Sequence, residues 1–435
     1  MKNAVSTLTL VLVCLGLPVE AQMRTATAPI RDAEPIVVPA PARRVNLAEV
    51  EFKRNLLAVM DLMIRTYGQT DFSSLVDYIK ATPNGSPNNV VPIDAMAHGY
   101  LSRYEMFRDR ADLVKALDMF ETAAKPDVYG DGSATSSSFV ARVANVAPLS
   151  WGKVWASSPT SAYLMMGVAR LRFVHPDDAA LAARIEALDL RVGSISTQEA
   201  DRRLGPDFPS RPYVSGTVND GDSKSEENAW EAYCLIWASQ TYPSYPHAQL
   251  WETKGLELAL HSFVTPNENR MLNGEPFSTI EDSGEVRNHR VINPWYSNPE
   301  LLQMAALAYR LNGKAIPPEL LHNVQKVYDR YRTYCVKDAT GRWIWDRPSD
   351  PAGDPSIFPI PGMGDDEFVR SIVRQKAADG YLWLQTEPVT GKLVIDPALG
   401  FSPESHLWRS IQNGKVVWYY LVAYLWYFPP IDSSN

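Results

Sequence analysis

The amino-acid sequence predicts an all-α fold, an α/α toroid in the form of an incomplete barrel of six or seven helical hairpins with minor β-hairpin decorations. Three observations predict it. Apolar residues recur at i, i+3, i+4 and i+7 in stretch after stretch. Pro, Gly, Asn or Asp separates each stretch from the next. The period-two alternation of a sheet-dominated protein is nearly absent. About a dozen helices without a strict repeat period do not make a solenoid. Each must still bury one face, and a ring of hairpins buries them in an inner and an outer layer.

The chain opens with segments that stay outside this fold. Met1-Lys2-Asn3 precedes an apolar stretch from Ala4 to Pro18, and small residues approach Ala21, so residues 1–21 read as a secretory signal peptide. Val13 ahead of Cys14 is not the small residue of a lipid-anchor signal. Residues 22–45, rich in Ala, Pro and Arg without periodicity, read as a flexible leader. Residues 46–435 remain for a single catalytic domain. No later stretch reaches about 18 uninterrupted apolar residues, so the expected location is the periplasm or the medium, with no membrane partner.

Within the domain the first expected helices are Leu47 to Tyr67, Ile93 to Phe107, Ala111 to Ala124, Ser161 to Phe173 and Asp178 to Leu188. Ser225 to Gln240, Gln249 to Phe263, Pro299 to Leu311, Pro318 to Tyr334, Asp365 to Ala378 and Val416 to Tyr427 continue the series. Short strands are expected near Gly341 to Asp346 and Gly380 to Val394. Cys234 and Cys335 both fall in apolar helical contexts that suit buried free thiols.

Composition narrows the function. With 42 basic and 50 acidic side chains the formal charge is −8, and no Lys/Arg block interrupts it. Nucleic-acid binding, which rests on neutralising phosphates, is excluded as the main activity. A phosphate loop, His-Glu-x-x-His and Gly-x-Ser-x-Gly are absent from the sequence, as is zinc-type Cys/His spacing. No cofactor or metal is therefore expected. Ser150-Trp151-Gly152-Lys153 matches Ser-x-x-Lys without the Lys-Thr-Gly that would support it. The 12 Trp and 20 Tyr suit a helical core or surfaces that stack on sugars.

Two polar segments break the apolar pattern. Asn219-Asp220-Gly221-Asp222-Ser223-Lys224-Ser225-Glu226-Glu227-Asn228-Ala229-Trp230 runs straight into a helix. Ser223 or Ser225 suits its N-cap, and Glu226 and Glu227 its first turn. Capping leaves Asn228 unexplained, because a buried amide must satisfy its donors and acceptor. The second segment is Arg287-Asn288-His289-Arg290-Val291-Ile292-Asn293-Pro294-Trp295-Tyr296-Ser297-Asn298-Pro299. Asn298-Pro299 fits a helix start with proline at the first position. The remaining imidazole, guanidinium, amide and phenol are costly together unless they meet a ligand.

These segments resemble those of the toroidal polysaccharide lyases, most closely polysaccharide lyase family 38, which acts on glucuronan and alginate-like polyuronates with an α/α-barrel fold. The resemblance lies in Glu226-Glu227-Asn228-Ala229-Trp230, Asn288-His289-Arg290 and Asn293-Pro294-Trp295-Tyr296. In that family a tyrosine moves the protons and an arginine six residues earlier lies near the substrate carboxylate, a spacing that Tyr296 and Arg290 reproduce. The resemblance implies Tyr296, His289, Arg290 and Asn228 as catalytic residues, with Glu227, Asn293, Trp230, Trp295 and Arg287 contacting an anionic polysaccharide.

The chemistry asks for such groups. Removing the proton beside a uronate carboxylate puts charge on that carboxylate, so Asn228, His289 or Arg290 must offset it. A tyrosine beside a cation can take the proton as phenolate and return one to the leaving oxygen. Where proton and leaving group lie on opposite faces, His289 is the natural base. An inverting glycoside hydrolase using Glu227 with Asp365 or Asp366 is the alternative, and a non-catalytic carbohydrate-binding protein is a third. Asp365, Asp366 and Glu367 otherwise read as helix-terminal acids. Alternating Trp343 and Trp345 read as a hairpin covering the core, and His98, Tyr100 and His406 as structural.

Overall fold

The computed structural model describes residues 47–67, 91–125, 157–214, 221–287, 292, 299–346, 360–386 and 420–430. The chain divides into Met1–Val45 and Asn46–Asn435, and every described residue belongs to the second unit. The signal peptide, the leader, the Ser150–Lys153 motif, His406 and residues 387–394 lie outside the described residues.

The unit is mostly helical, with eleven α-helices and two small antiparallel hairpins among the described residues. In chain order they are α1 (Leu47–Tyr67), α2 (Val91–Phe107), α3 (Arg110–Ala123), α4 (Ser157–Leu171) and α5 (Ala179–Arg203). Then come α6 (Ser225–Thr241), α7 (Ala248–Leu260), α8 (Glu300–Leu311), α9 (Val324–Thr333), α10 (Asp366–Thr386) and α11 (residues 420–427). Strand β1 (Arg270–Leu272) pairs with β2 (Glu275–Phe277), setting Met271 opposite Pro276. Strand β3 (Cys335–Lys337) pairs with β4 (Trp343–Trp345), setting Val336 opposite Ile344. Asp109 caps α3 and Asp178 caps α5, each carboxylate accepting first-turn N–H groups.

Packing follows burial. Helices α2 and α3, α4 and α5, and α6 and α7, each consecutive in sequence, pack against each other, and α6 also packs against α4 and α8. Residues of α3, α5 and α7 contact one another in a second row. Along α6 only Glu226 and Trp230 are not fully buried, and α8 is buried except at Arg310. Helices apolar or neutral on every side belong inside a layered structure. Helix α11 reaches four others: Tyr427 meets Phe52 of α1 edge-on at 5.1 Å and donates to Asp366 of α10, Arg310 of α8 lies over Trp426, and Tyr424 lies beside Glu105 of α2. Among the described residues no helix is long and apolar enough to cross a membrane.

Several expected elements change. Helix α5 runs to Arg203 instead of stopping at Leu188. A Cβ at Gly193 would meet the Tyr242 ring at 3.2 Å, so the glycine within the added turns serves close packing. The added turns bury Val192, Ile195, Glu199 and Arg203, a gain that outweighs glycine's cost of about 1 kcal/mol. Pro318 to Tyr334 is broken into a short 3₁₀ turn and α9 by Asn323 at φ 52°. Its amide donates to the Phe263 carbonyl and to Glu268, both at 2.7 Å, which holds the left-handed conformation. Residues 380–386 are the last turns of α10 rather than a strand, one glycine being too weak a signal to stop an established helix. The hairpin β1–β2 has no expected counterpart. Its turn, Asn273-Gly274, has both residues at positive φ as a two-residue hairpin requires, but strands of three residues are too short for alternation to register.

Trp345 is buried against Tyr331 and Tyr334, while Trp343 meets Phe368 edge-on. Cys234 and Cys335 are buried free thiols.

Two buried ion networks tie the helices. Arg203 bonds Glu199 at 2.7 Å and Glu231 at 2.6 Å, joining α5 to α6, with Ser158 of α4 donating to Glu231 at 2.6 Å. Arg170 of α4 bonds Glu105 at 2.9 Å and Ser102 at 2.8 Å on α2. His98 lies between: Nε2 donates to the Tyr163 carbonyl at 3.1 Å, so Nδ1 is free to accept from Arg170 at 2.8 Å. Burial first, and the Arg170 charge second, hold His98 well below its ordinary 6.5 despite the Tyr163 bond.

Glu268 behaves oppositely. Burial alone raises it, but the Thr265 N–H, Arg270 and the nearby His322 outweigh that and bring it to about 2. An imidazole kept neutral in the fold stabilises fully above 6.5 and loses that contribution as pH falls, since the unfolded chain then binds an extra proton. A depressed carboxylate adds stability above 4.5 that disappears toward 2. Denaturant midpoints should therefore fall in two steps on acidification, below 6.5 and again below 4.5. His98→Gln should shrink the first step to the part that His261, also lowered by burial, contributes; an unaltered first step would contradict a buried neutral imidazole at His98.

Candidate functional site

Four stretches of backbone meet at the N-terminus of α6. Val214 and Asp222 exchange N–H···O bonds at 2.9 and 3.4 Å, and the Tyr213 N–H donates to the Ser278 carbonyl at 2.8 Å. Thr279 Oγ1 donates to the Ser262 carbonyl at 3.0 Å and accepts from the Val264 N–H at 2.9 Å. The Ser223 N–H donates to the Arg287 carbonyl at 2.8 Å. That last bond joins the two polar segments that stand out in the sequence, which are separated by the whole of α6 and α7.

Neither Ser223 nor Ser225 caps α6. Lys224 occupies the cap position at φ 56°, without a side-chain cap bond. The Ser223 N–H is taken by Arg287, and the Ser223 and Ser225 hydroxyls bond each other at 2.9 Å. Lys224 Nζ instead bridges Asp222 at 2.5 Å and Glu227 at 2.8 Å, and these ion pairs fix a conformation few non-glycine residues adopt. Burial lowers the Lys224 ammonium, but both carboxylates outweigh it and raise its pKa. Glu227 keeps one oxygen, Oε2, buried and without a hydrogen-bond partner among the described residues.

Asn228 is 1% exposed and its amide is fully employed. Oδ1 accepts from the Arg211 N–H at 2.9 Å, and Nδ2 donates to the carbonyls of Arg211 at 2.9 Å and His261 at 3.3 Å. The burial cost that makes this amide conspicuous is thus met by backbone. Trp230 is half-buried, donates to Glu226 at 3.1 Å and packs beside Tyr163 and Tyr233. Arg287 pairs with Glu281 at 2.9 Å and Glu285 at 2.7 Å. Burial lowers its pKa and the two carboxylates more than reverse this. Glu285 is buried and bonded also by Arg330 and the Tyr334 hydroxyl, both at 2.6 Å; burial raises it and these donors pull it below the usual range.

His289, Arg290, Asn293, Trp295 and Tyr296 lie outside the described residues. Of their segment Arg287, Ile292 and Pro299 are described, with Ile292 packed against the core. Pro299, expected as the first helical residue, is instead the N-cap of α8, which starts one residue later at Glu300, and Asn298 is outside the described residues. Asp365 bonds Arg332 at 3.0 Å, and Asp366 accepts from the Tyr427 hydroxyl at 2.5 Å.

Two groups at this junction escape the sequence pattern. Ser210 Oγ and His261 Nδ1 share a hydrogen bond at 2.7 Å, and burial chiefly lowers the His261 pKa. Arg211 is clasped through its backbone by Asn228, while among the described residues no hydrogen bond or ion pair engages its guanidinium. The one available signal was Pro209-Ser210-Arg211-Pro212, a cation between two prolines. Among the described residues no group of three or more His, Cys, Asp or Glu could hold a metal ion. No family model, curated protein or solved structure matches the chain.

Proposed function

We propose that the chain is an exported polysaccharide lyase that cleaves a uronic-acid polymer, glucuronan or an alginate-like polyuronate, by β-elimination on an α/α toroid. The Ser223 to Arg287 backbone bond carries this reading. It holds Arg287, two residues before His289 in the sequence, against the end of α6 that carries Glu227 and Asn228. The two rows of helices, with α11 touching α1, α2 and α8, support the toroid.

In the reaction a base removes the proton beside the carboxylate, the C–O bond to the next sugar breaks, and a double bond forms between the two carbons. Tyr296 takes the proton and returns one to the leaving oxygen; His289 is the base where the two groups lie on opposite faces. Arg290 and His289 offset charge on the carboxylate. Asn228, its amide already bonded to backbone, acts by holding Arg211 and His261 in place. Glu227, a substrate contact in this reading, keeps a buried Oε2 without a hydrogen-bond partner among the described residues. The same unpartnered oxygen favours the second reading, an inverting hydrolase with Glu227 as one carboxyl group.

Incubation with glucuronan, alginate, its mannuronate and guluronate blocks, and glycosaminoglycans separates the readings. Elimination yields a conjugated uronate and rising ultraviolet absorbance. New reducing ends with flat absorbance would favour hydrolysis, and neither signal would leave a binding protein.

A further inference from the structure

Arg211 differs from the other cations at the α6 junction. Lys224 is neutralised by Asp222 and Glu227, Arg287 by Glu281 and Glu285, Lys254 by Glu257 and Arg270 by Glu268. Among the described residues the Arg211 guanidinium has no such partner, in a chain whose acidic residues outnumber its basic ones.

Its backbone is held twice over. A residue before proline is restricted to extended conformations, and Pro212 follows. The Asn228 amide then bonds both the N–H and the C=O of Arg211, each at 2.9 Å, from a side chain that is itself buried. A half-buried arginine on such a base has little backbone entropy left to lose when it binds. Two residues on, Tyr213 is 36% exposed, with its N–H fixed to Ser278. A fork of guanidinium N–H donors suits a planar carboxylate, and an aromatic ring suits the apolar face of a sugar.

We infer that Arg211 binds a carboxylate of an acidic sugar chain, with Tyr213 beside it as a stacking surface and Asn228 as the positioning residue that presents the cation. The assignment of the ligand as a uronate rests on the polyuronate reading above. Arg211 then sets specificity for charge, a role separate from proton transfer.

The test uses the full mature chain with oligoglucuronate, oligomannuronate and a neutral cello-oligosaccharide of equal length, measuring both binding by calorimetry and turnover. Arg211→Gln should weaken binding of the acidic oligomers and raise KM on the order of tenfold or more, with kcat and unfolding midpoint near wild type. Arg211→Lys should recover only part of the loss, since an ammonium keeps the charge without the fork. Added salt should raise KM less steeply for Arg211→Gln than for wild type.

Wild type that binds oligoglucuronate without cleaving it, with binding lost in Arg211→Gln, would uphold Arg211 and sink the lyase reading. Cleavage by wild type with an unchanged KM in Arg211→Gln would overturn Arg211 and leave the lyase reading standing. Wild type that binds no acidic oligomer, or binds the neutral one equally well, overturns the inference.

Discussion

Tyr296→Phe should unfold at the wild-type midpoint, still bind polyuronate and lose elimination by a factor on the order of 10²–10⁴. The substitution removes one hydroxyl and keeps the ring, so a phenol with a purely structural hydrogen bond would cost about 1–3 kcal/mol of stability and leave turnover at low temperature intact. The two roles therefore separate on different instruments, calorimetry for one and product formation for the other. Tyr296 lies six residues after Arg290 in a polar segment, and that segment starts from Arg287, whose carbonyl is bonded to Ser223. Retention of more than a small fraction of activity would remove Tyr296 from the reaction and make His289 the next base to test.

Asn228→Asp should destabilise the protein at neutral pH at least as much as Asn228→Ala, by about 3 kcal/mol. Alanine strands one N–H and two carbonyls. Aspartate keeps the acceptor for the Arg211 N–H but turns a carboxylate toward the carbonyls of Arg211 and His261, where Asn228 had two donors. As pH falls the added carboxyl gains a proton and one donor returns, so the deficit relative to wild type should narrow. Denaturant midpoints at neutral and acid pH measure it. An Asn228→Asp protein as stable as wild type, yet inactive, would mean that the amide meets substrate instead of backbone.

Helix identity was largely legible in the sequence because burial of one face leaves a periodic trace. Leu47–Tyr67 is observed with the bounds its apolar pattern predicts. Departures occur where a contact distant in sequence overrides a local signal: Tyr242 against Gly193 lets α5 continue, and Phe263 and Glu268 hold Asn323 in the conformation that splits the next helix. The site shows the same limit. Asn228 is conspicuous as an amide in an apolar helix, but its partners, Arg211 and His261, lie 17 residues before it and 33 after. Lys224 as a left-handed cap is equally hidden, because it depends on Asp222, Glu227 and the diversion of Ser223 to Arg287. Residue types announce that polar groups gather near α6; their division into clasp, ion pair and free cation requires the fold.

Weighing the two fragments cut from one purified oligoglucuronate tests elimination most directly. Elimination moves a proton and breaks a C–O bond without consuming water, so the fragment masses should sum to the mass of the parent, with one fragment carrying the unsaturated end. A sum heavier than the parent by one water, with both fragments saturated, would contradict a lyase and identify a hydrolase.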